Sequence, residues 1–209
     1  MKRLFLTSSA HLVASHIANK IKLKSNNKLV FINTAAEIGE TDLSWMDNDR
    51  NALIKAGFNT TDYTITGKTE TQLRKDLEQY DFIYVEGGNQ FYLLKMAQEN
   101  GFIHVIKELI LSKNKVYIGT SAGSIIASSN IYPTYRPEKA DKVNLINYNG
   151  FNFVDFIVFP HWGSEHFKDV YLKQRMSHAY NADSQIILLN DYQYVEVKDD
   201  WYKIIDVRK

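Results

Sequence analysis

Residues 115–127 read KVYIGTSAGSIIA and contain the pattern Gly119-x-Ser121-x-Gly123. The apolar residues before this pattern predict a strand, and those after it predict a helix. A sharp strand-to-helix turn lifts the serine side chain clear of the backbone and crowds its neighbours, which favours glycine two residues away on either side. The serine hydroxyl then lies at a helix N-terminus, where backbone N–H groups stabilise negative charge. This pattern predicts a nucleophile at Ser121; the alternative is a tight turn with an N-capping serine.

A second pair of glycines, Gly87-Gly88, lies between a predicted strand at Phe82–Val85 and a predicted helix. Glycines allow backbone N–H groups to approach a ligand closely, as an oxyanion hole requires. Both glycine-containing turns should lie at the carboxyl edge of one sheet, where open α/β folds bind ligands. The alternative interpretation is an ordinary turn between a strand and a helix.

The rest of the chain alternates short apolar runs with longer amphipathic segments. This alternation is typical of an α/β fold with three αβα layers and a mostly parallel sheet covered on both faces. The last three predicted strands span residues 185–189, 194–198 and 201–207, and Asp199-Asp200 predicts an antiparallel hairpin between the last two. Residues 129–150 lack periodicity and predict a long loop, which in a compact domain is often functional. We expect residues 1–209 to form a single domain.

Composition excludes several classes of function. The 25 Lys and Arg residues nearly balance the 24 Asp and Glu residues, so we expect no nucleic acid or anionic membrane as a partner. The chain has no Cys, which excludes disulfides, thiolate metal sites and a cysteine nucleophile. It also lacks the glycine-rich nucleotide-binding patterns and any His-x-x-x-His pattern, so we expect neither a cofactor nor a metal. The N-terminal apolar run is broken by Ser8 and Ser9, and we expect a cytoplasmic protein without a transmembrane helix.

Three motifs in order carry a resemblance to a known family. They are GGNQFYLL at residues 87–94, GTSAGS at residues 119–124 and FPH at residues 159–161. Together they resemble peptidase family S51, which includes peptidase E, an aspartyl dipeptidase, and cyanophycinase. The resemblance implies a fold similar to class I glutamine amidotransferases, with serine in place of their cysteine nucleophile. It also implies that Ser121 is the nucleophile, that His161 is the general base, and that the backbone N–H groups of Gly88 and Ala122 form the oxyanion hole.

The chemistry of the sequence agrees with a base at His161. This histidine follows a predicted strand and Pro160, so it should lie at the carboxyl edge of the sheet, near Ser121. A serine hydroxyl is a poor nucleophile unless a base takes its proton. The alternatives are that His161 caps the next helix, and that His166 is the base.

The third member of the triad is less well defined by the sequence. The resemblance implies an Asp or Glu on the loop after the helix that follows Ser121, at a position that falls near Arg136. We expect Glu138 to orient the histidine, with Asp141 as the second candidate and Glu165 as a third. A solvated charge on a loop is the alternative for each of them.

The resemblance implies that the substrates are short peptides, Asp-containing peptides among them. An acidic side chain needs a cation to bind it, and Arg175 lies in a stretch similar to an Arg-containing segment of the family. Leu172 stands where the family carries another Arg, so Arg136 and Lys139 are alternative cations. We also assign Asn89 to substrate binding.

Three functions remain open at this stage. The main prediction is a serine peptidase that forms an acyl-enzyme on Ser121 and uses small peptides as its partners. An esterase or amidase could use the same residues, and a ligand-binding protein could keep the fold without catalysis. The third reading gains if no carboxylate reaches His161. The sequence does not indicate an oligomeric state.

Overall fold

The computed structural model describes residues 1–24, 27–39 and 41–209. Its strands are, in chain order, β1 (Arg3–Thr7), β2 (Lys28–Ile32), β3 (Asn59–Tyr63), β4 (Phe82–Val85), β5 (Val116–Thr120), β6 (Phe156–Phe159), β7 (Gln185–Leu188), β8 (Gln193–Lys198) and β9 (Trp201–Asp206). In the described part of the chain, seven of these strands form one sheet in the order β3-β2-β4-β5-β1-β8-β9. Strands β1 to β5 are parallel, which confirms the predicted sheet type.

The strands are apolar throughout because both faces of the sheet are covered. In β2, Val30 and Ile32 belong to the core on one face, while Leu29 and Phe31 belong to the core on the other. Side chains alternate between the two faces of a strand, so a strand buried on both sides needs an apolar residue at nearly every position.

Helices form the two outer layers. The first face is covered by α1 (Ala10–Ile21) and α2 (Ser44–Lys55), and the second by α3 (Glu70–Leu77), α4 (Gln90–Glu99), α5 (Phe102–Lys107) and α6 (Ala122–Ile125). Shorter helices follow: α7 (Pro137–Ala140), α8 (Lys168–Val170) and α9 (Met176–Tyr180). A π-helical segment, Tyr171–Arg175, joins α8 to α9, so the helix predicted over residues 166–179 is present but irregular. Across the residues described, none of the helices combines the length and apolar character needed to span a bilayer.

The C-terminal strands divide between two sheets. Strands β8 and β9 form the predicted antiparallel hairpin, with Asp199 in the left-handed region at the turn (φ 50°), and β8 pairs with β1. Strand β7 instead pairs in parallel with β6 in a separate two-stranded sheet. The carboxyl ends of β6 and β7 therefore lie side by side.

The long loop at residues 129–150 is held against α4 by aromatic contacts. The rings of Tyr135 and Tyr148 pack edge-on against Phe91, with centroids 6.1 and 6.2 Å apart. The loop carries α7 and, through Arg136 and Lys139, reaches the cleft described below.

Candidate active site

Ser121 lies at the turn between β5 and α6 in a conformation that is rare for a residue with a side chain (φ 46°, ψ −107°). The glycines on either side of it, Gly119 and Gly123, are required because a Cβ at either position would clash with the backbone. A Cβ on Gly119 would lie 2.6 Å from the carbonyl oxygen of Gly123, and a Cβ on Gly123 would lie 2.1 Å from that of Val85 in β4. Strained backbone of this kind persists only where the surrounding structure holds it. The spacing of the motif therefore follows from the packing of this turn.

Hydrogen bonds to β1 and within the turn hold this conformation. The Ser121 amide donates to the Thr7 carbonyl (3.1 Å), and the Ser124 hydroxyl lies 2.7 Å from the same oxygen. On the other side of the turn, the Tyr117 hydroxyl donates to the Gly123 carbonyl (2.7 Å). Because β1 neighbours β5 in the sheet, the first strand of the chain supports the turn at Ser121 directly.

His161 is in hydrogen-bonding position for the serine. Its Nε2 lies 3.1 Å from Ser121 Oγ, and its ring stacks on Phe167 with centroids 4.5 Å apart. Its backbone is also in the left-handed region (φ 63°), and its amide donates to the Ser8 hydroxyl (2.7 Å). His166, the alternative candidate for the base, packs edge-on against Phe167 and lines the cleft described below. The structure thus brings together Ser121 and His161, as the sequence predicts.

Asp191 is the carboxylate next to His161. Its Oδ1 lies 2.7 Å from His161 Nδ1 and accepts a second hydrogen bond from the Ser8 hydroxyl (2.7 Å). Burial acts to raise the pKa of Asp191, but the hydrogen bonds from His161 and Ser8 outweigh it and hold the pKa below its usual value. The carboxylate is therefore ionised and able to stabilise an imidazolium at His161.

The structure corrects the expected position of this carboxylate. Glu138 lies on the loop at residues 129–150 and forms an ion pair with Arg136, with 2.7 Å between Arg136 Nη2 and Glu138 Oε1. That loop packs on the side of α4, whereas the Nδ1 of His161 faces the loop that connects β7 to β8. The position expected for Glu138 is held by Asp191.

The two other candidate carboxylates also have different partners. Asp141 accepts a hydrogen bond from the Tyr135 hydroxyl (2.6 Å). Glu165 is exposed and forms an ion pair with Lys168 (3.0 Å). Both carboxylates therefore lie at the surface and have partners other than His161.

The parallel pairing of β6 and β7 explains why Asp191 reaches the histidine. His161 follows the end of β6 by two residues and Asp191 follows the end of β7 by three. The ladder continues past the strands, because the Leu189 amide donates to the Phe159 carbonyl (3.0 Å). The sequence feature that could have pointed to Asp191 is its position directly after a predicted strand, in Asn190-Asp191, which is the same pattern that located His161. Ser8 also follows a strand directly, at the end of β1, and the sequence did not predict its place in the site.

The loop at Gly87-Gly88 lies against Ser121. A Cβ on Gly87 would lie 3.3 Å from Ser121 Cβ, and a Cβ on Gly88, whose φ is 126°, would lie 2.3 Å from the Ala35 carbonyl oxygen. The backbone amides of Gly88 and Ala122 donate to no other group in the described part of the chain. Unpaired N–H groups beside a serine nucleophile are what an oxyanion hole requires.

The side chain of Asn89 has a structural role that the sequence analysis did not assign. Its oxygen accepts hydrogen bonds from the amides of Phe91 (3.0 Å) and Tyr92 (3.2 Å), so it caps α4, and its nitrogen donates to the Lys139 carbonyl (3.2 Å). The residue is buried. Asn89 is also not among the residues that line the cleft, so its contacts support the fold around the site.

A cleft of about 580 Å³ opens above Ser121, between the two helical layers at the carboxyl edge of the sheet. This volume suits a small ligand. The cleft is lined by side chains from both layers. On the α1 and α2 side these are Ser8, Ser9, His11, Trp45 and Asp49; on the other side they are Arg136, Lys139, His166, Phe167 and Arg175.

Arg175 is a buried cation at the wall of this cleft. Only 3% of its surface is exposed, and its Nη1 donates to the Tyr171 hydroxyl (3.0 Å). Burial, together with the charge of Arg136, lowers its pKa. Its Nε has no hydrogen-bond partner, and no carboxylate among the described residues forms an ion pair with it. A buried guanidinium without an ion-pair partner is suited to bind an anion.

Comparisons with known proteins agree with the geometry. The model of peptidase family S51 matches residues 4–205, so the chain belongs to peptidase family S51 and is a peptidase of that family. The uncharacterized peptidase Lmo0363 of Listeria monocytogenes is 32% identical over 199 residues, which is 95% of this chain and 95% of its own length. Peptidase E of Haemophilus influenzae is 36% identical over 85 residues, 41% of this chain and 37% of its own length.

A solved structure shares the whole fold. The crystal structure of a candidate peptidase E protein from Listeria monocytogenes EGD-e matches this chain with a TM-score of 0.87 and 30% identity over 99% of each chain. The resemblance predicted from the three motifs is thereby confirmed.

Proposed function

We propose that this protein is a serine peptidase that hydrolyses short peptides with an acidic residue before the scissile bond, through an acyl-enzyme on Ser121. The observation that carries this proposal is a line of hydrogen bonds. It runs from Ser121 Oγ to His161 Nε2 (3.1 Å) and from His161 Nδ1 to Asp191 Oδ1 (2.7 Å). Nucleophile, base and orienting carboxylate in this arrangement define a serine hydrolase triad by geometry.

The acylation step follows from the positions of these groups. Ser121 Oγ attacks the carbonyl carbon of the peptide bond as its proton passes to His161 Nε2, and the ionised Asp191 stabilises the resulting imidazolium. The amides of Gly88 and Ala122 donate to the oxyanion that develops on the carbonyl oxygen. The carbon–nitrogen bond then breaks, and His161 returns the proton to the leaving amine.

Deacylation reverses these roles with water in place of the amine. His161 Nε2 takes a proton from the water molecule as its oxygen attacks the ester carbonyl of the acyl-enzyme. The bond to Ser121 Oγ then breaks, and the serine regains its proton from the imidazolium. The cycle is complete with side chains and water alone.

The substrate preference rests on Arg175. Arg136 is already paired with Glu138, whereas the buried guanidinium of Arg175 lines the cleft without a carboxylate partner among the described residues. An Asp side chain would supply the missing charge and accept hydrogen bonds from the guanidinium. The size of the cleft, about 580 Å³, favours short peptides over folded proteins.

The presence of Asp191 beside His161 argues against a ligand-binding protein without catalysis, because a carboxylate does reach the base. An esterase or amidase activity would use the same three residues, so a panel of peptide and ester substrates is required to separate these activities.

Labelling with a small fluorophosphonate tests the proposal. We expect stoichiometric labelling of the native protein and none of the Ser121→Ala variant, while Ser177→Ala, which removes an exposed serine on α9, should be labelled like the native protein. The native protein should also cleave Asp-Leu faster than Asn-Leu, and an Arg175→Met variant should lose that preference. Absence of both labelling and hydrolysis in folded protein would refute the proposal.

A further inference from the structure

The cleft contains a second pair of imidazole and carboxylate, separate from the triad. His11, in the first turn of α1, has its Nδ1 2.8 Å from Asp49 Oδ1, and its amide donates to the same oxygen (2.8 Å). Asp49 is buried, whereas 35% of the His11 side chain is exposed where it lines the cleft. Because Nδ1 faces Asp49, the Nε2 on the far side of the ring is left for a ligand.

The surroundings of Asp49 favour a cationic His11. The Tyr84 hydroxyl lies between two buried carboxyl groups, 3.0 Å from Asp49 Oδ2 and 3.3 Å from Glu86 Oε2. Burial and the nearby Asp49 raise the pKa of Glu86 well above its usual value, which favours the neutral form of Glu86. The hydrogen bond to Asp49 outweighs the effect of burial on His11 and raises its pKa, and the charge of Asp191 acts in the same direction.

His11 and Arg175 lie on opposite sides of the nucleophile. The start of α1 is attached next to Ser121, since the Ala10 amide donates to the side-chain oxygen of Thr120 (3.1 Å). Helix α1 packs on the first face of the sheet, whereas the segment that carries Arg175 packs on the second. A ligand that crosses Ser121 would therefore meet a cation at each end.

We infer that His11 binds the C-terminal carboxylate of the leaving amino acid, with Nε2 donating to it, and is therefore a residue that sets the preference for a free carboxyl terminus. The inference rests on the proposed function. The proposed function assigns the acidic side chain before the scissile bond to Arg175, so His11, across Ser121 from Arg175, lies on the leaving-group side of the cleft. A longer or amidated peptide would present a neutral amide to the imidazolium and lose a charge-assisted hydrogen bond.

Binding to an inactive variant tests this inference independently of catalysis. Calorimetric titration at pH 6.5 would compare Asp-Leu with Asp-Leu amide on the Ser121→Ala protein. We expect the free acid to bind about 10-fold to 100-fold more tightly, as for a hydrogen bond between charged groups. Adding His11→Gln, which keeps the polarity but not the charge, should bring the two dissociation constants within about threefold.

Two further variants complete the design. Adding His104→Gln, which changes an exposed histidine on α5 outside the cleft, should leave the preference of the Ser121→Ala protein intact. If the His11→Gln protein does not fold, His11→Asn takes its place in the same comparison. Equal binding of acid and amide to Ser121→Ala, binding of neither, or a preference that survives the loss of His11 would overturn the inference. Failure of the proposed function would instead appear as absence of labelling and hydrolysis in the native protein.

Discussion

Replacement of Asp191 by Asn is the sharpest test of the triad. In the transition state His161 becomes an imidazolium, and its charge lies about 4 Å from the charge of Asp191, an attraction of roughly 4 kcal/mol at an effective dielectric constant of about 20. The Asp191 side chain is 32% exposed, so solvent screening reduces this to about 3 kcal/mol. At about 1.4 kcal/mol for each factor of ten, kcat should fall about 100-fold. An amide that donates to Nδ1 would also favour the wrong tautomer of His161 and extend the loss toward about 1000-fold.

The assay is steady-state hydrolysis of Asp-p-nitroanilide, with the rate of fluorophosphonate labelling as a second measure of serine activation. KM should change by less than about threefold, because Asp191 contacts His161 and not the substrate. Glu138→Gln is the matched control, since it neutralises the carboxylate that the sequence favoured and should change kcat by less than about threefold. Asp191→Asn protein with nearly native kcat, or a large loss of kcat in Glu138→Gln, would refute the assignment.

Three other substitutions test the supporting structure. Gly123→Ala would place a Cβ 2.1 Å from the Val85 carbonyl oxygen, so we expect destabilisation by at least about 2 kcal/mol in urea unfolding and loss of labelling. Ser8→Ala removes one of the two hydrogen bonds to Asp191 Oδ1, and kcat should fall about tenfold. Glu86→Gln should raise the free energy of unfolding at pH 8 by about 1 kcal/mol or more, because the raised pKa of Glu86 costs stability only above the pKa of the unfolded state. The gain should therefore shrink as the pH falls toward 4.

Each of these substitutions has a control or a contrary outcome. Gly67→Ala has a positive φ of 72° but open space around the new Cβ, so it should cost only about 1 kcal/mol. Ser177→Ala should have native kcat, and a Ser8→Ala protein indistinguishable from it would show that Ser8 has no positioning role. A stability gain in Glu86→Gln that is the same at pH 4 and pH 8 would show that folding does not raise the pKa of Glu86.

The sequence was most informative about features that depend on a few consecutive residues. The turn at Ser121 could be recognised from the sequence because it must combine a strand end, a helix start and two positions without a Cβ. The structure shows the reason for the glycines, since a Cβ at Gly119 or Gly123 would clash with a backbone carbonyl oxygen. The strand before Pro160 likewise predicted that His161 lies near Ser121, although β6 belongs to the separate two-stranded sheet and not to the seven-stranded one. The terminal hairpin was predictable because Asp199-Asp200 joins two strands that are adjacent in sequence.

The choice between Glu138 and Asp191 could not be made in this way. Thirty residues separate Asp191 from His161, and what joins them is the parallel pairing of β6 with β7 in a sheet of their own. The pairing of distant strands depends on which apolar faces pack together, and that information does not reside in any short segment. The resemblance to the family favoured Glu138, but in the structure that carboxylate forms an ion pair with Arg136.

The amino-acid sequence by itself therefore determined the fold class, through its alternation of apolar and amphipathic segments, and predicted the pairing of Ser121 with His161, because each of these residues follows a recognisable strand end. Only the tertiary structure decided which carboxylate lies next to His161, the hydrogen bond from Ser8 to that carboxylate and the pairing of His11 with the buried Asp49. These contacts join the ends of strands and helices that are far apart in the chain, and they exist only once the two helical layers close on the sheet.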